Sequence, residues 1–192
     1  MSVNISPARG RLVVATPDLS DPNFDGTVVL LLEHEPQGSL GVVLNRPSEL
    51  LITDAMTRSP SSDETGWDDI ADHPPVVFVG GPVRPNALIA LARLSRVTDD
   101  DRWQPLSDDL GVLDIGEGPV DSVGDVTALR MFAGYAGWGP AQLEQEIQLG
   151  SWFVIEGQPT DGFITDPELL WRLVLRRQGG VFTTVTDNPV LN

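Results

Sequence analysis

Apolar positions along the chain fall into short blocks, separated by breaks rich in Gly, Pro and Asp. Arg11 to Ala15 reads as a short strand, followed by a loop from Asp18 to Gly26. Thr27 to Glu33 is a continuous β-branched and leucine run, the pattern of a strand buried on both faces. The turn Pro36-Gln37-Gly38 leads into Leu40 to Leu44, so the two runs predict a hairpin. Ser48 is placed to cap a helix with Leu51, Ile52, Ala55 and Met56 on one face. Val76 to Val79, Val112 to Ile115, Val126 to Phe132 and Trp152 to Ile155 read as further strands. Pro85 and Asn86 open a predicted helix carrying Leu88, Ile89, Leu91, Ala92 and Leu94. Other helices are predicted from Pro140 to about Leu149 and, behind an Asp166-Pro167 cap, from Glu168 to Gln178. Val181 to Val185 reads as a last strand.

Two stretches carry no periodicity: Ser59 to Pro75, polar and proline-rich, reads as an insertion loop, and Asp99 to Asp109 as an acidic loop. Strands and helices mix without a strict β-α-β-α rhythm, and a hairpin comes early. The pattern therefore predicts an α+β domain with a mixed sheet, spanning 1–192 as one unit.

Composition narrows the chemistry. The chain has no cysteine, which removes disulfides, thiolate nucleophiles and zinc–thiolate sites, and only two histidines, His34 and His73. No apolar run reaches the roughly 20 residues of a membrane span, and Met1 to Ser6 lacks a signal-peptide layout. The expectation is a cytoplasmic protein with no membrane partner. The net charge is −16, and all twelve basic residues are arginine. Such a chain repels phosphate backbones, so direct nucleic-acid binding is disfavoured. The one basic cluster, Arg172, Arg176 and Arg177, complements the C-terminal end of a helix.

The segment Ala133 to Glu144, AGYAGWGPAQLE, is the most unusual. Closely spaced glycines permit positive φ or close backbone approach. Tyr135 and Trp138 are large rings whose polar atoms need partners. The segment predicts a packed corner or the wall of a site. Trp152 would extend that wall, and Asn45 and Arg46, just beyond a strand end, would supply polar handles. Gly80-Gly81-Pro82 reads as a tight turn ending a strand; the other reading is backbone N–H groups presented to an anion. The candidate ligand or partner surface is thus Asn45, Arg46, Gly80, Gly81, Tyr135, Trp138 and Trp152.

Asp21 to Gly26 matches the start of a calcium loop, but position twelve is Leu32, so the stretch reads as a turn and no metal is expected. No phosphate-loop or dinucleotide fingerprint is present, so no cofactor is expected. There is no nucleophile elbow, and sequence gives no reason to pair any serine with a base. His34, between Glu33 and Glu35, reads as a structural or surface residue, with proton transfer as the other possibility.

Four blocks resemble the bacterial AlgH/YqgE family: GRLVVATPDLSDPNF from Gly10, Val28 to Pro47 ending in GVVLNRP, VGGPV from Val79, and Gly134 to Glu146 with Trp152 after it. The resemblance implies a compact fold with a bent, partly barrel-like sheet flanked by helices, and no established activity. Two positions depart from it: Ala141 stands where the family usually has glycine, and His34-Glu35-Pro36 replaces a His-Asn type turn. The family is sometimes labelled a transcriptional regulator, which the acidity disfavours as direct DNA contact. Residues and resemblance together predict a non-enzymatic binding or regulatory module with a protein or small-molecule partner. An enzyme or sensor for a small anionic ligand is the alternative.

Overall fold

The computed structural model describes residues 5–56, 70–96, 98–107, 109–115, 125–180 and 182. Among the described residues, ten strands form one curled sheet, with three short helices against it. The strands are β1 (Leu12–Ala15), β2 (Val28–Glu35), β3 (Gly38–Val43), β4 (Pro47–Leu51), β5 (Val76–Val79), β6 (Val83–Leu94), β7 (Trp103–Pro105), β8 (Leu110–Leu113), β9 (Val126–Trp138) and β10 (Trp152–Ile155). The helices are α1 (Ile52–Met56), α2 (Gln142–Gln148) and α3 (Leu170–Arg176). The main path runs β10-β1-β2-β3-β9-β6-β8-β7, and β5 bridges β4 to β9. Its neighbours are antiparallel, but β5 runs parallel to β9 at Phe78–Phe132 and Val79–Ala133, so the sheet is mixed. Far along the path, Leu106 and Leu110 line a cavity of about 40 Å³ together with Gly10, Leu12 and Pro159, which shows how far the sheet curls.

Both faces of the sheet are buried, and that explains the unbroken apolar runs. On β1, Leu12 and Val14 enter the inner core, while Val13 and Ala15 face an outer cluster under α2. Leu170, Trp171, Val174 and Leu175 of α3 pack into the inner core, and the Trp171 indole donates to the Ala15 carbonyl at 2.9 Å. Each such fully buried apolar side chain contributes roughly 1.5–3 kcal/mol.

The predicted helix from Pro85 through Leu94 is instead strand β6. Leu88, Ala90, Ala92 and Leu94 face one cluster; Ile89 and Leu91 face the inner core. A strand buried on both faces shows no alternation, so its sequence looks like that of a buried helix. Pairing with β9 from Leu88–Ala133 to Leu94–Val126, and with β8 on the other edge, decides the matter. Ser48 lies in β4 rather than at a helix cap, and its hydroxyl donates to the Val77 carbonyl at 2.5 Å. A short strand, β7, sits inside the predicted acidic loop, with Trp103 buried. The helix expected from Pro140 starts only at Gln142, because Ala141 is left-handed with φ 57°. Asp166 makes no side-chain cap, and the chain enters α3 through a 3₁₀ turn, Pro167–Leu169. Of the predicted insertion, 59–69 lies outside the described residues. The remainder is joined to the sheet, since Ala71 bridges Leu129 and the Asp72 N–H donates to the Leu129 carbonyl at 2.9 Å. Of Val181–Val185 only Phe182 is described; it is helical and packs edge-on against Phe153 at 4.9 Å. No described helix is long and apolar enough to cross a membrane.

Candidate functional site

The first half of the glycine–aromatic segment, Ala133 to Trp138, is the second half of β9, and the segment then runs through Gly139 into α2. Along β9, Phe132 enters the inner core, and strict alternation would send Gly134, Ala136 and Trp138 the same way. Instead Gly134 adopts φ +72° and the alternation slips by one residue. Tyr135 joins the inner core, while Ala136 and Trp138 join the outer cluster with Trp152. Here one edge of β9 passes from β5 to β3, while β6 keeps the other edge as far as Tyr135. Gly80 and Gly81 lie directly against this slip: a Cβ on Gly81 would stand 2.2 Å from the Tyr135 carbonyl carbon, and one on Gly134 2.5 Å from the Gly81 oxygen. The two glycine motifs are a single backbone crossing.

The seven candidate residues thus divide. Trp138 and Trp152 meet edge-to-face at 5.9 Å, and Phe24 packs on both, at 6.2 and 5.5 Å. Both indole N–H groups donate to Oε2 of Glu146, at 3.0 and 2.8 Å. The other oxygen of Glu146 accepts from the Gln142 amide at 2.9 Å, and the Gln142 oxygen accepts from the Gly139 N–H at 2.9 Å. Tyr135 lies on the opposite face.

Asn45 and Arg46 act on the loop that carries Phe24. The Asn45 oxygen accepts from the Val28 N–H, and its amide donates to the Gly26 carbonyl, both at 2.9 Å. The Arg46 guanidinium donates to the carbonyls of Asn23, Pro22 and Asp25 at 2.8, 3.2 and 3.2 Å. Within this loop Asp21 accepts from the Asn23 N–H at 2.7 Å, an Asx turn. Among the described residues no cluster of three or more His, Asp or Glu is placed to hold a metal. Arg177, from the basic cluster, is held by both oxygens of Asp161 at 2.6 and 2.7 Å.

Arg130, absent from the seven candidates, has its side chain fully buried on the inner side of β9. It reaches Asp72 at 3.1 Å, the His73 carbonyl at 2.5 Å and the Ile164 carbonyl at 3.2 Å, and lies 4.5 Å from the Phe78 ring centroid. Burial pushes its guanidinium down to about 10, against the opposing pull of Asp72. A lone arginine inside a β-branched strand carries no signal of this in sequence.

His34 sits between Ser39 and Glu144 rather than between its sequence neighbours. Its Nδ1 is 2.8 Å from the Ser39 hydroxyl, and its Nε2 is 3.5 Å from Glu144 Oε1. Elsewhere an open groove of about 460 Å³ lies between α1, β6, β7 and β8. Met56, Leu88, Leu113 and Ile115 give it apolar walls, with Asn86, Gln104 and Asp114 as polar groups. None of the seven candidate residues lines it.

The AlgH-like family model matches residues 12–183, most of the chain. The chain belongs to the AlgH-like family. A UPF0301 protein of Streptomyces avermitilis is 44% identical over 195 residues, covering 98% of this chain and 97% of the relative. The crystal structure of protein DIP2367 from Corynebacterium diphtheriae has a TM-score of 0.82 at 27% identity, covering 96% of this chain and 94% of that one. The solution structure of AlgH from Pseudomonas aeruginosa has a TM-score of 0.67 at 25% identity, covering 94% and 93%. As an AlgH-like protein the chain thus shares a curled half-barrel fold with these two solved structures.

Proposed function

We propose that this AlgH-like chain is a binding module whose ligand is a small molecule held in the groove between α1, β6, β7 and β8. The observation that carries this reading is the groove itself. Its volume of about 460 Å³ falls in the range of small-molecule sites, and its lining combines apolar walls with polar surface in about equal measure. Leu88 and Leu113 would contact an apolar body, while the amides of Asn86 and Gln104 would orient a polar end. The sheet beneath is rigidly paired, with β6 bonded on both edges, so the walls are preformed.

The groove fits a binding role better than the glycine–aromatic segment does. Around Trp138 and Trp152 the polar atoms are already engaged within the protein, and both rings are at most 5% exposed. That region works as a platform holding α2 and the Phe24 loop.

A ligand-observed NMR screen of small neutral and cationic amphiphiles tests the proposal, with Leu88→Trp as the variant that fills the groove. Compounds that bind the native chain and lose at least tenfold in affinity on Leu88→Trp are expected. Compounds that bind both forms equally, or an absence of binders, would sink the proposal.

A further inference from the structure

A second arrangement stands apart from the groove and does not rest on the binding proposal. Ser39 on β3 and His34 on β2 are register partners across the hairpin, so their side chains share one face. Their contact, Ser39 Oγ to His34 Nδ1 at 2.8 Å, pairs a hydroxyl with a base. The far nitrogen of the ring points to α2, where Glu144 Oε1 lies 3.5 Å from Nε2, within ion-pair reach of a protonated ring. Ser39, itself 8% exposed, lines an open depression of about 250 Å³ whose other walls include Glu33, Glu35, Leu40 and Trp138. A hydroxyl, an imidazole and a carboxylate in line, beside an opening, is the nucleophile–base–orienter arrangement of acyl transfer. Such sites are recognised by geometry and roles rather than by chain order. Here Nδ1 faces the serine and Nε2 the acid; either ring nitrogen can take a proton.

We propose that Ser39, His34 and Glu144 form an acyl-transfer site that hydrolyses small, positively charged carboxylic esters. Ser39 Oγ attacks the ester carbonyl carbon as its proton passes to His34 Nδ1. Glu144 stabilises the imidazolium that results. The C–O bond to the alcohol breaks, His34 returns the proton to the leaving oxygen, and the alcohol departs. Water then attacks the acyl-serine with His34 again taking a proton, the acid leaves, and the Ser39 hydroxyl is restored. One ester and one water give one acid and one alcohol. The preference for a cationic ester follows from the carboxylates of Glu33 and Glu35 beside the opening and from the net charge of −16.

The decisive experiment treats the full chain with a fluorophosphonate and maps the adduct by mass spectrometry, alongside hydrolysis of acetylcholine and of neutral p-nitrophenyl acetate. One adduct on Ser39 is expected, absent from Ser39→Ala. Acetylcholine turnover should fall at least about 100-fold in His34→Gln, the scale of a lost general base. Glu144 acts as a positioning residue, so Glu144→Gln should lower kcat with KM unchanged. No adduct on Ser39 in the native chain overturns the proposal outright. So does ester hydrolysis that Ser39→Ala retains in full. A groove ligand lost by Leu88→Trp would leave both of these readouts untouched, so the two proposals fail separately.

Discussion

Trp138 and Trp152 end on the same atom: both indole N–H groups donate to Glu146 Oε2, at 3.0 and 2.8 Å. One half-buried carboxylate therefore joins the last residue of β9, the first of β10 and the middle of α2. A carboxylate has enough lone pairs to serve two indoles and the Gln142 amide together, which a hydroxyl could not.

Replacing Glu146 with alanine should accordingly strand two buried donors. Each unsatisfied buried group costs about 1–3 kcal/mol, so the loss should total about 2–6 kcal/mol in urea unfolding. Glu146→Gln keeps one acceptor oxygen and should lose distinctly less. Equal losses for the two variants would show that the shared acceptor is not what matters.

Arg46 illustrates a cation consumed by its own backbone. Its three carbonyl partners all lie between Pro22 and Asp25, on the loop whose Phe24 covers the two tryptophans. Arg46→Ala should cost only about 1 kcal/mol globally, because the loop is exposed and water can replace the guanidinium. Locally it should accelerate amide exchange across residues 21–26 in hydrogen-exchange mass spectrometry. Unchanged exchange there would mean that the loop does not depend on Arg46.

Ala141 holds a left-handed backbone, φ 57°, immediately before α2. For an L-residue with a Cβ that conformation costs roughly 1–2 kcal/mol, and glycine avoids most of it. Ala141→Gly should therefore raise stability by about 0.5–1 kcal/mol, after glycine's larger unfolded-state entropy is set against the relief. A lower melting temperature for the glycine variant would contradict this.

Asp100 supplies a pH-dependent test. Hydrogen bonds from the Arg102 side chain, and then from its backbone N–H, hold the Asp100 carboxyl down to about 2 from its ordinary 3.8. A depressed carboxylate stabilises the fold fully above its unfolded value and loses that contribution as pH falls through the folded one. The melting-temperature gap between native chain and Asp100→Asn should thus be constant near neutrality and close as pH drops from about 4 toward 2. A gap that persists at the acid end would mean that the charge plays no part.

Much of the sheet was legible in the sequence because Gly, Pro and Asp breaks bound the apolar blocks. The β2–β3 hairpin follows from the Pro36-Gln37-Gly38 turn between two such runs. Strand β6 was hidden for the opposite reason. With Ala90 and Leu91 both buried, on opposite faces, its sequence has no period to read. The candidate residues were legible only as unusual types. In a strand, three-residue spacing puts Tyr135 and Trp138 on opposite faces, but which of them faces the inner core depends on one positive φ at Gly134.

The α+β class, the family, the strong negative charge, the lack of thiol chemistry and the strain-tolerant glycines at the β9 crossing can all be read from the residues in order. These are local or additive properties: composition, turn chemistry and short-range pattern. Which side chains meet is set by the folded chain. Five residues separate His34 from Ser39, but 105 separate Ser39 from Glu144, and helix packing on the sheet brings all three together. Likewise the groove walls come from α1, β6 and β8, distant segments whose proximity is set by sheet order. Contacts of that range depend on strand register and on which face each residue presents, and a one-residue slip such as that at Gly134 reverses them.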